Sequence, residues 1–297
     1  MPSPLSGVFR ALVTAAALAG LAHVQAQEVG SFTSPPRSFS TVSYWIAGPR
    51  STVLIDTQFL PKEGMQALRE AERGSGRKVS HALVLHPNPD KFNGTAALQA
   101  NGVRVMTSAQ VAEQIPAVHR IRLGWFADEY SPDYPQEAAK PASFGDRTGQ
   151  VDWPGVNIKL HVLGPGCSAA HVVAQMDDAV FVGDLVNVDN HAWLELGRID
   201  DWLQRLQDVR DMKPARVFPG RGKPGGPEML ERQSEYLRFV QKLVQAERPS
   251  GSLGWFTKLR LQNAIERQYP ALGYPGFMRD GLAAVWHEEA AKRAAAR

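Results

Sequence analysis

The chain has 297 residues, of which 43% are hydrophobic, with seven Trp and a formal net charge of +3 at pH 7. This composition is typical of a packed globular core and excludes an intrinsically disordered chain. The small net charge, without a dense Lys/Arg stripe, gives no support for nucleic-acid binding. After the amino terminus, no apolar run reaches the length of a membrane span.

Residues 1–26 have the pattern of a secretory signal peptide. Arg10 precedes an apolar run over residues 11–21, and Val24 and Ala26 are the small residues that precede a signal-peptidase cut. We predict cleavage after Ala26 and a mature protein that is periplasmic or secreted. An uncleaved amino-terminal anchor is the alternative, because the apolar run is short.

The first half of the mature chain alternates predicted strands and helices, as in an α/β protein. Residues 27–37 are polar and rich in proline, which indicates a tether. Strands are predicted at residues 39–47, 51–56, 79–85 and 103–107, and helices at residues 61–73, 95–100 and 108–115, the last one ending at Pro116. Residues 116–149 form a long excursion, either a lid over a site or an ordinary surface insertion.

The second half begins with strands and ends with helices. Strands are predicted at residues 156–163, 172–176, 179–182 and 215–218, and helices at residues 198–212, 228–247, 258–268 and 277–296. Asp177-Asp178 between the second and third of these strands is typical of a hairpin turn. The carboxyl-terminal helices carry enough apolar residues to cap the domain, to form a homodimer or to bind a partner: Trp255, Phe256, Leu259, Leu261, Ile265, Leu282, Val285 and Trp286.

Residues 79–94 are the stretch around which the chain is organised. A short apolar strand ends at Pro87 and Pro89, which remove backbone donors and predict a loop at the carboxyl end of the strand. Such a strand end is a common place for chemistry in α/β proteins, although a solvated loop is the simpler alternative. The polar residues that the loop carries are His86, Asn88, Asp90 and Lys91.

Four further strands end in polar or glycine-rich loops, at Asp56, Cys167, Asp184 and Arg221. Loops at strand ends tend to meet at one edge of a layered α/β domain, so we expect these residues to converge. Cys167 is the only cysteine and can form no internal disulfide. In an oxidising compartment an unpaired cysteine is buried, a ligand or reactive.

The ordered series of strand-end motifs resembles the metallo-β-lactamase superfamily. It extends to about residue 225 and consists of Leu54-Ile55-Asp56-Thr57, the loop from His86 to Gly94, Gly164-Pro165-Gly166-Cys167, Gly183-Asp184 and Pro219-Gly220-Arg221-Gly222. The resemblance implies an αββα four-layer sandwich with a metal site along one edge. It divides the chain into the signal peptide at residues 1–26, a metallo-β-lactamase-like domain at residues 27–225 and a helical extension at residues 226–297.

The signal peptide and the extension make the chain similar to a periplasmic branch of that superfamily. Members of the branch accompany sulfur-oxidation or quinoprotein-dehydrogenase systems. The family's metal motif is His-x-His-x-Asp-His, with later histidines after Gly-Pro-Gly and Pro-Gly and a bridging acid in Gly-Asp. The resemblance implies that His86, Asp90 and Asp184 are the same residue types as the family's metal ligands at these positions. Asn88, Lys91, Cys167 and Arg221 stand where the family has histidines.

The two family metal positions lead to different expectations. At the first, His86, Cys167 and Asp184 leave room for a weak mononuclear zinc site, because zinc accepts His, Cys and carboxylate ligands. At the second, Lys91 and Arg221 carry no lone pair while protonated and cannot ligate. We predict that these two cations pair with Asp90 and Asp184 in the place of the second ion, and we expect no other cofactor.

Two functions are consistent with these residues. The first is an exported protein with a degenerate metal site that binds a small ligand or a periplasmic protein without two-metal hydrolysis. The alternative is a periplasmic hydrolase with one metal ion or with Cys167 as the nucleophile. In the second case, Lys91 and Arg221 lower the pKa of the Cys167 thiol, His86 is the base, and Asp90 also acts in catalysis. Cys167 as a small buried residue is the simpler reading.

Two more histidines remain open from the sequence. His171 follows Cys167 by four residues and is either a replacement ligand or part of the packing. His191 lies in a loop after Gly183-Asp184 that could approach the site from above. The residues do not select a substrate class.

Overall fold

The computed structural model describes residues 28–296. The predicted signal peptide at residues 1–26 lies outside the described residues. Within residues 28–296, no helix combines the length and the apolar character that crossing a bilayer requires.

The first sheet has six strands in chain order. The early strands pair antiparallel and the later ones parallel. Its third strand is apolar and fully buried, as expected for a strand that is covered on both faces. The strands are β1 (Glu28–Thr33), β2 (Val42–Ala47), β3 (Thr52–Ile55), β4 (Val79–Leu83), β5 (Arg104–Thr107) and β6 (Ala142–Ser143).

The second sheet has five strands in the order β11-β10-β9-β8-β7. All its pairs are antiparallel except β10 with β11, which are parallel. The parallel pair brings the carboxyl ends of two strands to the same edge. The strands are β7 (Gly149–Trp153), β8 (Val156–Leu163), β9 (His171–Met176), β10 (Ala179–Asn187) and β11 (Arg216–Arg221).

Helices cover the outer faces of both sheets. One apolar cluster joins the facing sides of the two sheets and the helix α1, and a second joins the other side of the second sheet to α5 and the carboxyl-terminal helices. The predicted four-layer αββα sandwich with a helical extension is confirmed. The helices are α1 (Pro61–Ser75), α2 (Pro89–Phe92), α3 (Thr95–Ala100), α4 (Ala109–Phe126), α5 (Ile199–Asp211), α6 (Glu228–Ala246), α7 (Trp255–Gln268) and α8 (Pro275–Ala295).

Three local predictions differ from the structure. Residues 28–33 do not form a tether but the edge strand β1, because their backbone pairs with β2 along its whole length. Helix α4 continues through Pro116 to Phe126, with the proline ring on the exposed side. Pro89 begins the short helix α2, since the first position of a helix needs no N–H donor.

The carboxyl-terminal helices form part of the core rather than a separate appendage. Leu237 of α6, Ile265 of α7 and Leu282 of α8 are fully buried in the same cluster as β10 and α5. Trp255 and Phe256 at the start of α7 are instead 69% and 75% exposed. The apolar residues of the extension therefore divide into a packed set and an exposed pair.

Candidate functional site

The strand-end motifs converge at one edge of the sandwich, as the sequence predicts. Asp56 follows β3, His86 follows β4, Asp184 lies within β10, and Arg221 ends β11. Cys167 lies in the loop that leads into β9. These side chains are all buried, so the site is a packed centre rather than an open groove.

The backbone around the centre is tightly fixed. Asp56 has a left-handed φ of 63° and its Oδ1 accepts the Leu85 N–H at 2.9 Å, which ties the ends of β3 and β4 together. A Cβ on Gly220 would lie 2.0 Å from Asp184 Oδ1, so only glycine lets β11 pass that carboxylate. A Cβ on Gly94 would lie 2.0 Å from the Thr57 carbonyl oxygen.

Two cations and two carboxylates form the centre. Lys91 Nζ lies 3.0 Å from Asp90 Oδ2 and 2.9 Å from Asp184 Oδ1. Arg221 donates from Nη2 to Asp90 Oδ2 at 2.6 Å and from Nη1 to Asp184 Oδ2 at 2.5 Å. Its Nε donates to the Phe39 carbonyl at 3.0 Å. The pairing of Lys91 and Arg221 with the two carboxylates is therefore present.

The charges of this cluster stabilise one another. Burial alone would raise the pKa of Asp90, but Lys91 and Arg221 hold it below its ordinary value. Burial likewise opposes ionisation of Asp184, and the same two cations keep its pKa well below its ordinary value. Burial would lower the pKa of Lys91, whereas the two carboxylates raise it. All four groups are consequently charged at neutral pH.

The neighbouring carboxyl of Asp56 behaves differently. Burial raises its pKa to about 7, although the charge of Lys91 and the Leu85 N–H lower it. No ion pair within residues 28–296 compensates Asp56 directly. The Asp56 carboxyl therefore titrates close to neutral pH, whereas the four groups of the neighbouring ion cluster stay charged there.

His86 is neutral and both of its ring nitrogens are engaged. The Asp184 N–H donates to Nε2 at 3.3 Å, which places the ring proton on Nδ1, where it donates to Ser168 Oγ at 3.0 Å. Burial lowers the pKa of His86 to about 4. The ring thus joins β4 to β10 and to the loop before β9.

His171, at the start of β9, is a further member of the centre. Its Nε2 accepts the Ser168 N–H at 3.1 Å and lies 3.6 Å from Cys167 Sγ. Among residues 28–296, its Nδ1 has no hydrogen-bond partner. Burial lowers the pKa of His171 well below its ordinary value.

The structure does not favour the alternative in which Cys167 is activated, and Cys167 is the small buried residue of the simpler interpretation. Burial raises the pKa of the thiol well above its ordinary value, and the charge of Asp184 adds to this effect. Lys91 and Arg221 lower the pKa, but their charges are already balanced by carboxylates. Cys167 is 3% exposed and protonated, so a thiolate nucleophile is not favoured here.

The residues do not fit a dinuclear metal site, because the ammonium and guanidinium groups occupy the space between Asp90 and Asp184. A single ion fits better. Ligand atoms of His86, Cys167 and His171 lie within 4.8 Å of one another. Two imidazoles and a sulfur suit Zn²⁺, but coordination by the sulfur requires loss of the thiol proton.

A small cavity of about 40 Å³ lies above the ion cluster. Asp90, Asp184 and Arg221 form its polar side, and Asn88 also faces it. The remaining lining residues are Phe39, Phe59, Pro89, Arg122, Phe126, Trp193 and Phe277. They come from loops, from α2, α4 and α8, so the helical extension contributes to the wall of the site.

Sequence reasoning missed Arg122, Trp193 and Phe277. Arg122 was missed because the sequence predicted that α4 ends at Pro116, before this residue. His191, which the sequence suggested above the site, instead hydrogen-bonds through Nδ1 to the Tyr236 hydroxyl at 2.9 Å. Its neighbour Trp193 in the same loop reaches the cavity.

Comparison with known proteins places the fold. A family model described as the metallo-beta-lactamase superfamily matches residues 37–221. A metallo-beta-lactamase from Pontibacter korlensis is similar in structure, with 19% identity, a TM-score of 0.53, and coverage of 71% of this chain and 99% of that one. A metallo-beta-lactamase from Hirschia baltica has 20% identity and a TM-score of 0.50, covering 70% and 91% of the two chains.

A third similar structure is the FIM-1 metallo-beta-lactamase from Pseudomonas aeruginosa in its mono-zinc form. It has 16% identity and a TM-score of 0.53, and the match covers 72% of this chain and 91% of that one. Identities this low show a common fold. In each case the match leaves more than a quarter of this chain uncovered.

Proposed function

Because this chain belongs to the metallo-beta-lactamase superfamily, we propose that it is an exported member that binds a small ligand or a periplasmic protein and does not carry out two-metal hydrolysis. Its degenerate metal centre holds positively charged side chains in place of a second ion. The signal-peptide pattern of residues 1–26 supports export to the periplasm.

The ion cluster is the observation that supports this proposal most strongly. Lys91 and Arg221 compensate Asp90 and Asp184 with their own charges, and each contact is 3.0 Å or shorter. A cation fixed in this way repels a divalent ion. It also supplies no metal-bound hydroxide at neutral pH, which is the nucleophile that metal hydrolysis needs.

Metal analysis tests the proposal directly. The exported protein, purified without chelator and then equilibrated with Zn²⁺, Fe²⁺ or Mn²⁺, is expected to retain no dinuclear centre. The matched variant restores histidine at all four altered positions: Asn88→His, Lys91→His, Cys167→His and Arg221→His. We expect this variant to bind zinc with higher stoichiometry than the wild type.

Two equivalents of metal in the wild-type protein would contradict the proposal. Folding of the fourfold variant is checked by circular dichroism and by its elution volume. If the fourfold variant does not fold, the metal content of the wild-type protein alone tests the proposal, because that measurement requires no substitution.

One observation favours a second candidate function, a mononuclear metal protein. His86, Cys167 and His171 bring three potential ligand atoms within 4.8 Å, and the unpartnered Nδ1 of His171 offers a second route to coordination. A zinc ion held there would act as a Lewis acid. The wild-type sequence would then form a hydrolase with a ligand set unlike that of the family motif.

Cobalt separates the two candidates. Co²⁺ bound to a thiolate gives an absorption band that Co²⁺ bound only to nitrogen and oxygen lacks. The mononuclear candidate predicts this band with one equivalent of Co²⁺ and its loss in Cys167→Ser. The binding proposal predicts no such band in either protein.

A further inference from the structure

Arg122 lines the cavity, and its side chain carries a buried hydrogen-bond donor that is not used. The residue is 3% exposed, and its Nη1 has no partner among residues 28–296. Its Nη2 forms an ion pair with Glu195, and its guanidinium lies over the rings of Trp125 and Trp193, at 4.0 and 5.3 Å from their centroids. A buried donor without a partner is unfavourable, so an unpartnered donor on a residue that lines a cavity indicates a ligand.

Asn88 provides a second donor on the same cavity. It lines the space beside Arg122, and no side-chain hydrogen bond from it is present within the described residues. Asn88 stands where the family motif has a histidine. Its side-chain amide offers a neutral hydrogen-bond donor, and unlike histidine it is a poor ligand for a metal ion.

The charges around the cavity favour an anion at Arg122. Asp90 and Asp184 are neutralised by cations within 3.0 Å. Glu195, the partner of Arg122, has a side chain that is 32% exposed, so water screens its charge. The charged side chains that line the cavity are Asp90, Arg122, Asp184 and Arg221.

The walls and the volume limit the size of the anion. Aromatic rings of Phe39, Phe126 and Phe277 surround the space, so the part of a ligand away from its charge must be apolar. A volume of about 40 Å³ corresponds to about three water molecules. This volume favours a ligand with few heavy atoms over one with a ring system.

We propose that this cavity binds a short aliphatic carboxylate, with one oxygen on Arg122 Nη1, the other on the Asn88 amide, and the alkyl group among the aromatic rings. This inference rests on the proposed binding function and names the ligand class. Phe277 of α8 forms part of the cavity wall. The helical extension thereby becomes part of the recognition surface.

Titration with carboxyl-labelled ¹³C-propionate, followed by NMR, tests the inference on protein purified after export. Propionate is expected to bind, and both its neutral isostere propionamide and the bulkier benzoate are expected to bind more weakly. Arg122→Lys keeps the charge but shortens the reach to the ligand. It should weaken propionate binding about tenfold or more, as expected for a hydrogen bond to a charged group.

Arg120→Lys is the matched control, because Arg120 lies on the same helix and is exposed. It should leave propionate affinity unchanged. If Arg122→Lys does not fold, Asn88→Ala replaces it, with an expected loss of about threefold or more for a neutral hydrogen bond. Unaltered affinity in the variant used, or no propionate binding to the wild type, would overturn the inference.

Metal analysis of the same sample separates the two proposals. Two bound metal ions overturn the proposed function. Metal-free protein whose propionate binding does not depend on Arg122 or Asn88 overturns only the carboxylate inference.

Discussion

At the end of β11, one guanidinium holds two buried carboxylates that would otherwise repel each other. Arg221 uses all three of its nitrogens, two for Asp90 and Asp184 and one for a backbone carbonyl. Only arginine presents donors in such a fork, so lysine would not replace it without loss. The residues of this centre are therefore strongly coupled in their contribution to stability.

Arg221→Met is expected to lower the free energy of unfolding by about 3–5 kcal/mol, because it leaves buried charges uncompensated. Urea unfolding at neutral pH measures this loss. Arg216→Met, at the other end of the same strand, is the matched control, since the side chain of Arg216 is 49% exposed. It should change the free energy by about 0.5 kcal/mol or less. Equal effects of the two substitutions would contradict the buried-cluster interpretation.

Asp56→Asn tests the raised pKa of that carboxyl. The native pKa is about 7 and the ordinary value is 3.8, so native Asp56 binds a proton more tightly than unfolded Asp56 does. Its contribution to stability is present below pH 4 and is lost as the pH rises through 7. Asparagine keeps Oδ1 and tolerates the left-handed backbone, so the variant should gain up to about 4 kcal/mol relative to wild type between pH 4 and 8.

Unfolding curves of both proteins at several pH values provide the measurement. Neutral His86, whose native pKa of about 4 lies below its ordinary value, contributes stability that increases as the pH rises from 4 to 6.5. This opposite trend is common to both proteins and cancels in the difference. A pH-independent difference would contradict the assignment to Asp56.

Among the elements, α4 and α8 supply part of the cavity wall. α4 continues beyond Pro116 and brings Arg122 and Phe126 to the cavity, while α8 contributes Phe277. α8 is anchored by buried residues that pack against the second sheet and its helices. The cavity wall therefore includes an element that lies outside residues 37–221, where the family model matches.

Leu282→Ala tests that anchoring. Leu282 is fully buried in the core, and its truncation should cost about 2–5 kcal/mol of unfolding free energy. Leu259→Ala in α7 is the matched control, because Leu259 is 40% exposed and should cost about 0.5 kcal/mol or less. Chemical denaturation of both variants is the measurement. A small effect at Leu282 would show that the extension is independent of the core.

For the molecule as a whole, export and assembly remain predictions. The amino-terminal pattern predicts passage out of the cytoplasm, and the exposed pair Trp255 and Phe256 leaves a homodimer or a periplasmic partner open. Scattered exposed aromatic residues are common in monomers, so this pair alone selects neither. The cavity that Phe277 of α8 lines is formed within one chain, whether or not the protein is a homodimer or binds a partner.

Expression of the full chain in a bacterium should yield a mature protein that begins at Gln27, as determined by intact mass. Ala26→Asp should block the cut, because signal peptidase needs a small residue there. An uncleaved wild-type chain that stays in the membrane fraction would support the amino-terminal anchor instead. An exposed position such as Glu28→Asp, just after the cut, provides the control.

From the sequence, the resemblance of the ordered strand-end motifs to a known superfamily predicted the sandwich, and the opposite charges at the family's metal positions predicted the pairing of Lys91 and Arg221 with the two carboxylates. The sequence did not reveal β1 or the continuation of α4, and it left burial and activation of Cys167 as alternatives. Edge pairing, tolerance of a proline on an exposed helix face and desolvation all depend on which surfaces meet. Only the tertiary structure therefore brought Arg122, Trp193 and Phe277 together above the ion cluster.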